Sequence, residues 1–316
     1  MRGMKKGTDP FPLMRFARPV VWSVVLTALL GVAGTALAQQ LEPRAYAPAP
    51  AGMSIFGVAA FYSSGDVVLD PSVPIENLQA RVRIAAPFYG RTFGLFGRLA
   101  NVGIIAPFAQ ADATGDVEGE GRSIDRSGPG DPVFRFAVNL IGSPALTPKE
   151  FSTRTRETIL GTSLTVVAPL GQYDPAKLIN LGANRWAFKP ELGLSHPVGP
   201  WDLELYAGVW VFTANDNFYG GKVRRQDPLR TTQAHVVYTF LPNLWLSLDY
   251  TYYAGGATTV TGQQKRDRQD NSRTGLTLAV PVARQQSMKL SWSRGVSVRV
   301  GQDFDALGVS WQYFWF

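Results

Sequence analysis

Hydrophobic and polar positions alternate along most of this chain. In Leu244 to Tyr253 one face reads Leu244, Leu246, Leu248, Tyr250 and Tyr252, while the other carries Ser247, Asp249 and Thr251. In Met288 to Val300 the apolar face is Met288, Leu290, Trp292, Val296, Val298 and Val300, opposed by Lys289, Ser291, Ser293, Ser297 and Arg299. A period of two is that of a β-strand with one apolar and one polar face. The same pattern recurs upstream. Val82 and Ile84 oppose Arg81 and Arg83, Phe134 and Phe136 oppose Arg135, and Leu192 and Leu194 oppose Lys189 and Glu191. Leu203 and Leu205 oppose Asp202 and Glu204, and Leu276 and Leu278 oppose Arg273 and Thr277. After Gln39 no apolar run approaches the roughly 20 residues that a spanning helix requires.

A soluble sandwich also alternates, so the connections matter. Short ones fall near Phe93 to Gly97, Gly199-Pro200, Leu241 to Asn243 and Ala283 to Gln286. Long polar ones fall near Ser63 to Glu76, Ala111 to Pro132, Gln172 to Arg185, Asn215 to Leu229 and Thr261 to Asn271. Short turns at one rim, long loops at the other and aromatic girdles are the pattern of an outer-membrane barrel. Trp186, Trp201, Tyr250, Tyr252, Trp311, Tyr313 and Trp315 sit at run ends as such girdles would. The expectation is therefore an all-β, transmembrane antiparallel barrel of twelve strands over residues 39–316. The strands start near 53, 77, 99, 133, 158, 186, 201, 231, 244, 272, 287 and 304. One connection is long where a short turn is due. Within it, Thr147-Pro148-Lys149-Glu150 reads as a capping box with Pro at the first helical position, which predicts a short helix.

The first 38 residues read differently. A basic leader (Arg2, Lys5, Lys6, Arg15, Arg18), the uncharged stretch Val20 to Ala33, and Ala36-Leu37-Ala38 predict a secretory signal cleaved between Ala38 and Gln39. Met4 and Met14 are alternative starts. The leader holds five Lys/Arg and one acid, so the formal charge of +7 falls to about +3 after cleavage. That balance gives no basis for a nucleic-acid partner. The chain has no cysteine, which excludes disulfides and Cys-based zinc sites. The predicted location is the bacterial outer membrane, with its lipids and the barrel-assembly machinery as partners. Phe316 is of the residue type that this machinery reads at a barrel terminus, although the stripe Leu307, Val309, Trp311, Tyr313 and Trp315 is one residue out of phase with it.

Several stretches carry a family resemblance: "LEPRAY" from Leu41, "PLGQYDPAKLINLGANRWAFKPELG" from Pro169, "NDNFYGG" from Asn215, "TYYAGG" from Thr251, "DRQDNSRTG" from Asp267 and "GQDFDALGVSWQY" from Gly301. With these in order, the mature chain resembles outer-membrane proteins grouped under phenol meta-pathway degradation, which are transporter-like. The resemblance implies a barrel for passage of small organic solutes, aromatic ones among them, and supplies no catalytic residues.

Read from alternation, the inward face should carry Arg81, Arg83, Arg135, Lys189, Arg273, Lys289 and Arg299 against Glu191, Asp202, Glu204 and Asp249, with His235 beside them. Seven cations against four anions would make a mildly positive conduit that favours anions; the same residues could instead pair into a plug. Asn184 and Arg185 are loop candidates for solute contact, beside the simpler reading of a rigid loop over the mouth. Asn215-Asp216-Asn217 lacks the spacing of a calcium loop, and no metal or cofactor is predicted. There are two histidines, His196 and His235, and nothing in the local sequence around either suggests a Ser–His pair with a third orienting group, so no catalytic residue is assigned. The competing functions are a passive conduit, a sealed structural or adhesive barrel, and an outer-membrane hydrolase.

Overall fold

The computed structural model describes residues 41–68, 75–117, 120–177 and 179–316. The leader and its cleavage site lie outside the described residues. Twelve antiparallel strands close into a barrel. They are β1 (Ser54–Val68), β2 (Ile75–Leu95), β3 (Arg98–Ile105 continued by Phe108–Val117), β4 (Glu120–Pro129 continued by Val133–Ile141), β5 (Ile159–Val167) and β6 (Ala187–Val198). Then follow β7 (Trp201–Phe212), β8 (Leu229–Leu241), β9 (Leu244–Gly255), β10 (Gln269–Ala283), β11 (Gln286–Ser297) and β12 (Gly301–Trp315). Each pairs with its sequence neighbours, and β12 returns to β1 in a continuous register from Ser54↔Trp315 to Val68↔Gly301. Closure leaves neither terminal strand with a free edge, which a bilayer would not tolerate.

Period two decides which residues face out. Leu205, Leu248 and Leu307 are 53%, 55% and 56% exposed, while Tyr206, Asp249 and Gly308 beside them turn inward. An exposed belt of leucines on a closed barrel, with charges inside, is a lipid-facing surface. The chain is an outer-membrane barrel. Aromatic rings gather at the short-turn rim, where Trp201 meets Tyr238 at 4.7 Å, Tyr313 stacks on Trp315 at 5.7 Å and Trp315 lies 6.3 Å from Tyr89. The short turns fall where expected. Phe96 and Gly97 both take positive φ (49° and 75°), as a two-residue hairpin turn of the primed type demands.

Three loop expectations need correction. Ala111 to Pro132 is mostly strand, because β3 runs on to Val117 and β4 starts at Glu120. The inward residues there are Ala109, Ala111 and Ala113, too small to register as an apolar face in the sequence. The connections after β7 and β9 also hold structure: Asn215–Phe218, Lys222–Gln226, Thr258–Val260 and Gln263–Gln264 make a second, four-stranded sheet. Helix α1 (Pro148–Phe151) forms where the capping box placed it, with Thr147 and Glu150 each satisfying the other's backbone N–H.

Candidate functional site

The lumen has two unlike walls. Around β12, β1, β2 and the outer half of β3 the inward side chains are mainly apolar: Ile55, Ala59, Phe61, Val82, Ile84, Ala86, Phe88, Ala109, Ala111 and Phe304, with Ser310 and Gln312 of β12 the polar exceptions toward the short-turn rim. From β4 to β10 the charged residues concentrate, beside apolar ones such as Val133, Val167, Trp210 and Leu229. Arg135, Lys189, Glu191, Asp202, Glu204, His235, Asp249 and Arg273 all point inward and are buried, as alternation predicted. Lys289 also alternates inward, between Ser287 and Ser291.

Three predicted positions differ. Arg81 and Arg83 lie on the outer face, and Arg83 pairs there with Asp112 at 3.1 Å. Their partners Val82 and Ile84 face inward, because the barrel at that height is filled by Leu181 and Phe304 and offers an apolar seat. Arg299 follows the end of β11 at Ser297. It is exposed, and its backbone N–H donates to Asn271 Oδ1 at 2.7 Å. Beside Arg83 the outer wall carries an apolar hollow of about 890 Å³, lined by Leu276, Leu290, Leu307 and Val309 among others.

The charged wall is already occupied, by a segment that alternation could not reveal. Residues 41–53 enter the lumen before β1 begins. Glu42 sits 3.6 Å from Lys189, which also holds Glu191 at 3.0 Å. The Glu42 N–H donates to Gln233, the Arg44 N–H to Glu204 at 2.7 Å and the Ala45 N–H to the Tyr206 hydroxyl. The Arg44 guanidinium pairs with Asp202 at 3.2 Å, and Asp202 also holds Arg156 at 2.5 Å. Tyr46 is the deepest anchor. Its hydroxyl meets Ser163 and donates to Glu191, its ring lies edge-on to Tyr206, and Arg135 stands 5.1 Å over its face. Gly161 and Gly193 clear the space, since a Cβ on either would come within 2.1 Å of the ring. The hints in the sequence are the "LEPRAY" stretch that carries part of the family resemblance, and within it two charges and a tyrosine in an otherwise Pro/Ala-rich segment.

His235 does not build a nucleophile. Its Nδ1 meets Asp249 at 2.8 Å, but the Ser247 hydroxyl also donates to Asp249, as does Thr277 at 2.7 Å. Among the described residues no hydroxyl stands against His235 Nε2, so they hold no Ser–His contact of a triad there. Asp249 is the hub of a buried hydrogen-bonded cluster. His196 is exposed at the rim, 2.7 Å from Thr158.

The other mouth is closed over by the loop between β5 and β6. Asp131 receives the backbone N–H groups of Gly171 and Ala183, at 2.8 and 2.7 Å. The loop thereby dips Leu181 against Val82, Ile84 and Phe304. Asn184 takes positive φ and donates to Asn215, whose amide also reaches Tyr173 and Ala183. Asn215 is thus spent on holding the loop. Arg185 is buried, donates to Gln226 and stacks 4.4 Å over Phe212; Gln226 in turn donates to Gly256. The stretches from Pro169, Asn215 and Thr251 that stand out in the sequence meet in this one network. Asn184 is half-buried in this network and Arg185 is buried, with its Nη1 left without a hydrogen-bond partner among the described residues.

The family described as "Putative MetA-pathway of phenol degradation" matches residues 62–313. The chain belongs to this family. No curated protein matches it. Among solved structures, an outer-membrane channel from Pseudomonas putida F1 is similar at a TM-score of 0.76 and 20% identity, over 87% of this chain and 100% of that one. Two further barrels are more loosely alike. The β-domain of the Bordetella autotransporter BrkA has a TM-score of 0.49 and 11% identity, covering 84% and 100% of the two chains. The monoaromatic hydrocarbon channel CymD has a TM-score of 0.41 and 9% identity, covering 84% and 89%. At such identities the likeness speaks to the fold and not to the solute.

Proposed function

We propose that this barrel is a passive outer-membrane channel for small organic compounds, including aromatic ones that carry a polar or anionic group, and that it is not an enzyme. The observation that carries the reading is the two-walled lumen. An apolar arc facing an arc of cations and acceptors suits a ring with one charged or hydroxylated end. The family's link to phenol degradation and the channel of the same fold from Pseudomonas putida support it. Residues 41–47 occupy the charged wall from one side and Leu181 packs on the apolar wall from the other, so on this reading passage requires the segment to leave its seat. The seat is held by hydrogen bonds and ion pairs, and by the packing of Ala45 and Tyr46 against Ala137, Ile159 and Tyr206.

The test compares planar-bilayer conductance and liposome uptake of benzoate and phenol for the mature protein and for a form lacking residues 41–47. The deletion should enlarge the conductance steps and speed uptake. No conductance and no uptake by either protein would leave a sealed structural barrel standing instead. Hydrolysis of ester or phospholipid substrates that is lost with His235→Ala or His196→Ala would restore the enzyme reading.

A further inference from the structure

Off the lumen, at the short-turn rim, a second cavity of about 160 Å³ opens between three pieces of chain. Pro48 of the inserted segment forms one side, Gly142 to Pro144 and Leu146 another, and Phe151, Arg154, Thr155 and Glu157 the third. Two polar groups lining it have no hydrogen-bond partner among the described residues: Ser143 Oγ, on a buried residue, and Arg154 Nε. Buried polar atoms are nearly always hydrogen-bonded, so two at one small cavity call for an acceptor inside it.

The charges agree on its sign. Three arginines gather here, and Asp202 is shared by two of them, Arg44 and Arg156. Among the described residues Arg154 has no carboxylate partner within salt-bridge distance. Its guanidinium lies 4.5 Å over the Phe151 ring and reaches only the Thr155 carbonyl, at 3.4 Å. Burial first, then Arg44 and Arg156, push its pKa down to about 10, while Asp202 and the exposed Glu157 oppose this less strongly. An anion would relieve that crowding. The rest of the lining is apolar, from Pro48, Pro144, Leu146 and Phe151. A cavity near 150 Å³ is about what a benzene ring fills.

We propose that this rim cavity is a binding site for a small carboxylate bearing one apolar ring, its carboxylate on Arg154 and Ser143 and its ring against Leu146, Pro144 and Pro48. The site is separable from the passage reading, since Arg154, Ser143, Pro144 and Leu146 lie between β4 and β5 and only Pro48 belongs to the inserted segment.

Titration calorimetry on the purified mature protein in detergent tests it, with benzoate as the probe, benzyl alcohol as the ring without the charge, and inorganic phosphate as the charge without the ring. Benzoate should bind with a millimolar or tighter constant, about tenfold more weakly in Arg154→Gln, with partial recovery in Arg154→Lys and a few-fold loss in Ser143→Ala. Heat-modifiable gel mobility confirms that each variant is folded. Benzoate binding that ignores both Arg154 variants, binding of benzyl alcohol or phosphate as tight as that of benzoate, or no benzoate binding at about 10 mM would overturn the site. Conductance of the same preparations reads the lumen independently. A protein that conducts without binding benzoate at Arg154 removes this site alone, and one that binds but never conducts removes the channel alone.

Discussion

Tyr46 shows how closely single residues define the closed lumen. Its ring lies between Gly161 and Gly193 of adjacent strands, and a methyl at position 193 would come 2.1 Å from Cε2. Overpacking of that kind costs about 1–3 kcal/mol unless something moves. The segment is the movable partner, because β6 is held by hydrogen bonds on both edges. Gly193→Ala should therefore leave the barrel folded and raise conductance; an unchanged conductance would mean that Tyr46 does not hold the plug. Lys189 sets a different test. It is buried between Glu42 and Glu191, and its removal leaves two buried acids unpaired. Lys189→Met should cost about 3–5 kcal/mol in unfolding from micelles. Glu42→Gln should cost less, since Lys189 keeps Glu191 at 3.0 Å. Equal costs would show that the triad is not the unit described. Arg135, Lys189 and Asp249 could be placed inward from alternation alone, whereas Arg81 and Arg83 were assigned to the wrong side. Alternation separates two faces and does not say which is inside. Above the belt, where Leu181 fills the lumen, the apolar face is the inner one.

At the scale of elements, strands and the short helix were legible because each has a local signature. The segment 41–53 was not: it has no periodicity, and its order comes from partners 39 to 195 residues away. The small sheet after β7 and β9 was missed for the related reason that its strands run only two to five residues. Helix α1 offers a pH test. The Thr147 backbone N–H first, and then its hydroxyl, hold the Glu150 carboxyl below its ordinary value of 4.5. A depressed acid contributes stability that is present above its unfolded pKa and lost as pH falls through the folded one. Amide protection at Glu150, corrected for intrinsic exchange, should fall between roughly pH 5 and pH 3. Glu150→Gln keeps the capping geometry without the titration, so its protection should stay flat over that range. A parallel fall in the variant would assign the effect to another group.

For the whole molecule the question is what solvent surrounds it. Leu248 on β9 and Tyr219 in the turn after Asn215–Phe218 are both exposed, at 55% and 42%. In water an exposed apolar residue can become arginine at a cost within about 0.5 kcal/mol, wherever it sits. In an outer membrane the two positions part company. Leu248 belongs to the belt that also holds Leu205 and Leu307, while Tyr219 lies in the outer loops, beyond the strands. Leu248→Arg should destabilise the folded barrel by about 2–4 kcal/mol in lipid vesicles, the cost of a charge near the bilayer midplane. Tyr219→Arg should remain within about 0.5 kcal/mol. Reversible unfolding by guanidinium from vesicles, followed by tryptophan fluorescence, gives both numbers. Similar small costs at the two sites would mean that the leucine belt does not face lipid, and the assignment of this barrel to the membrane would fail with it.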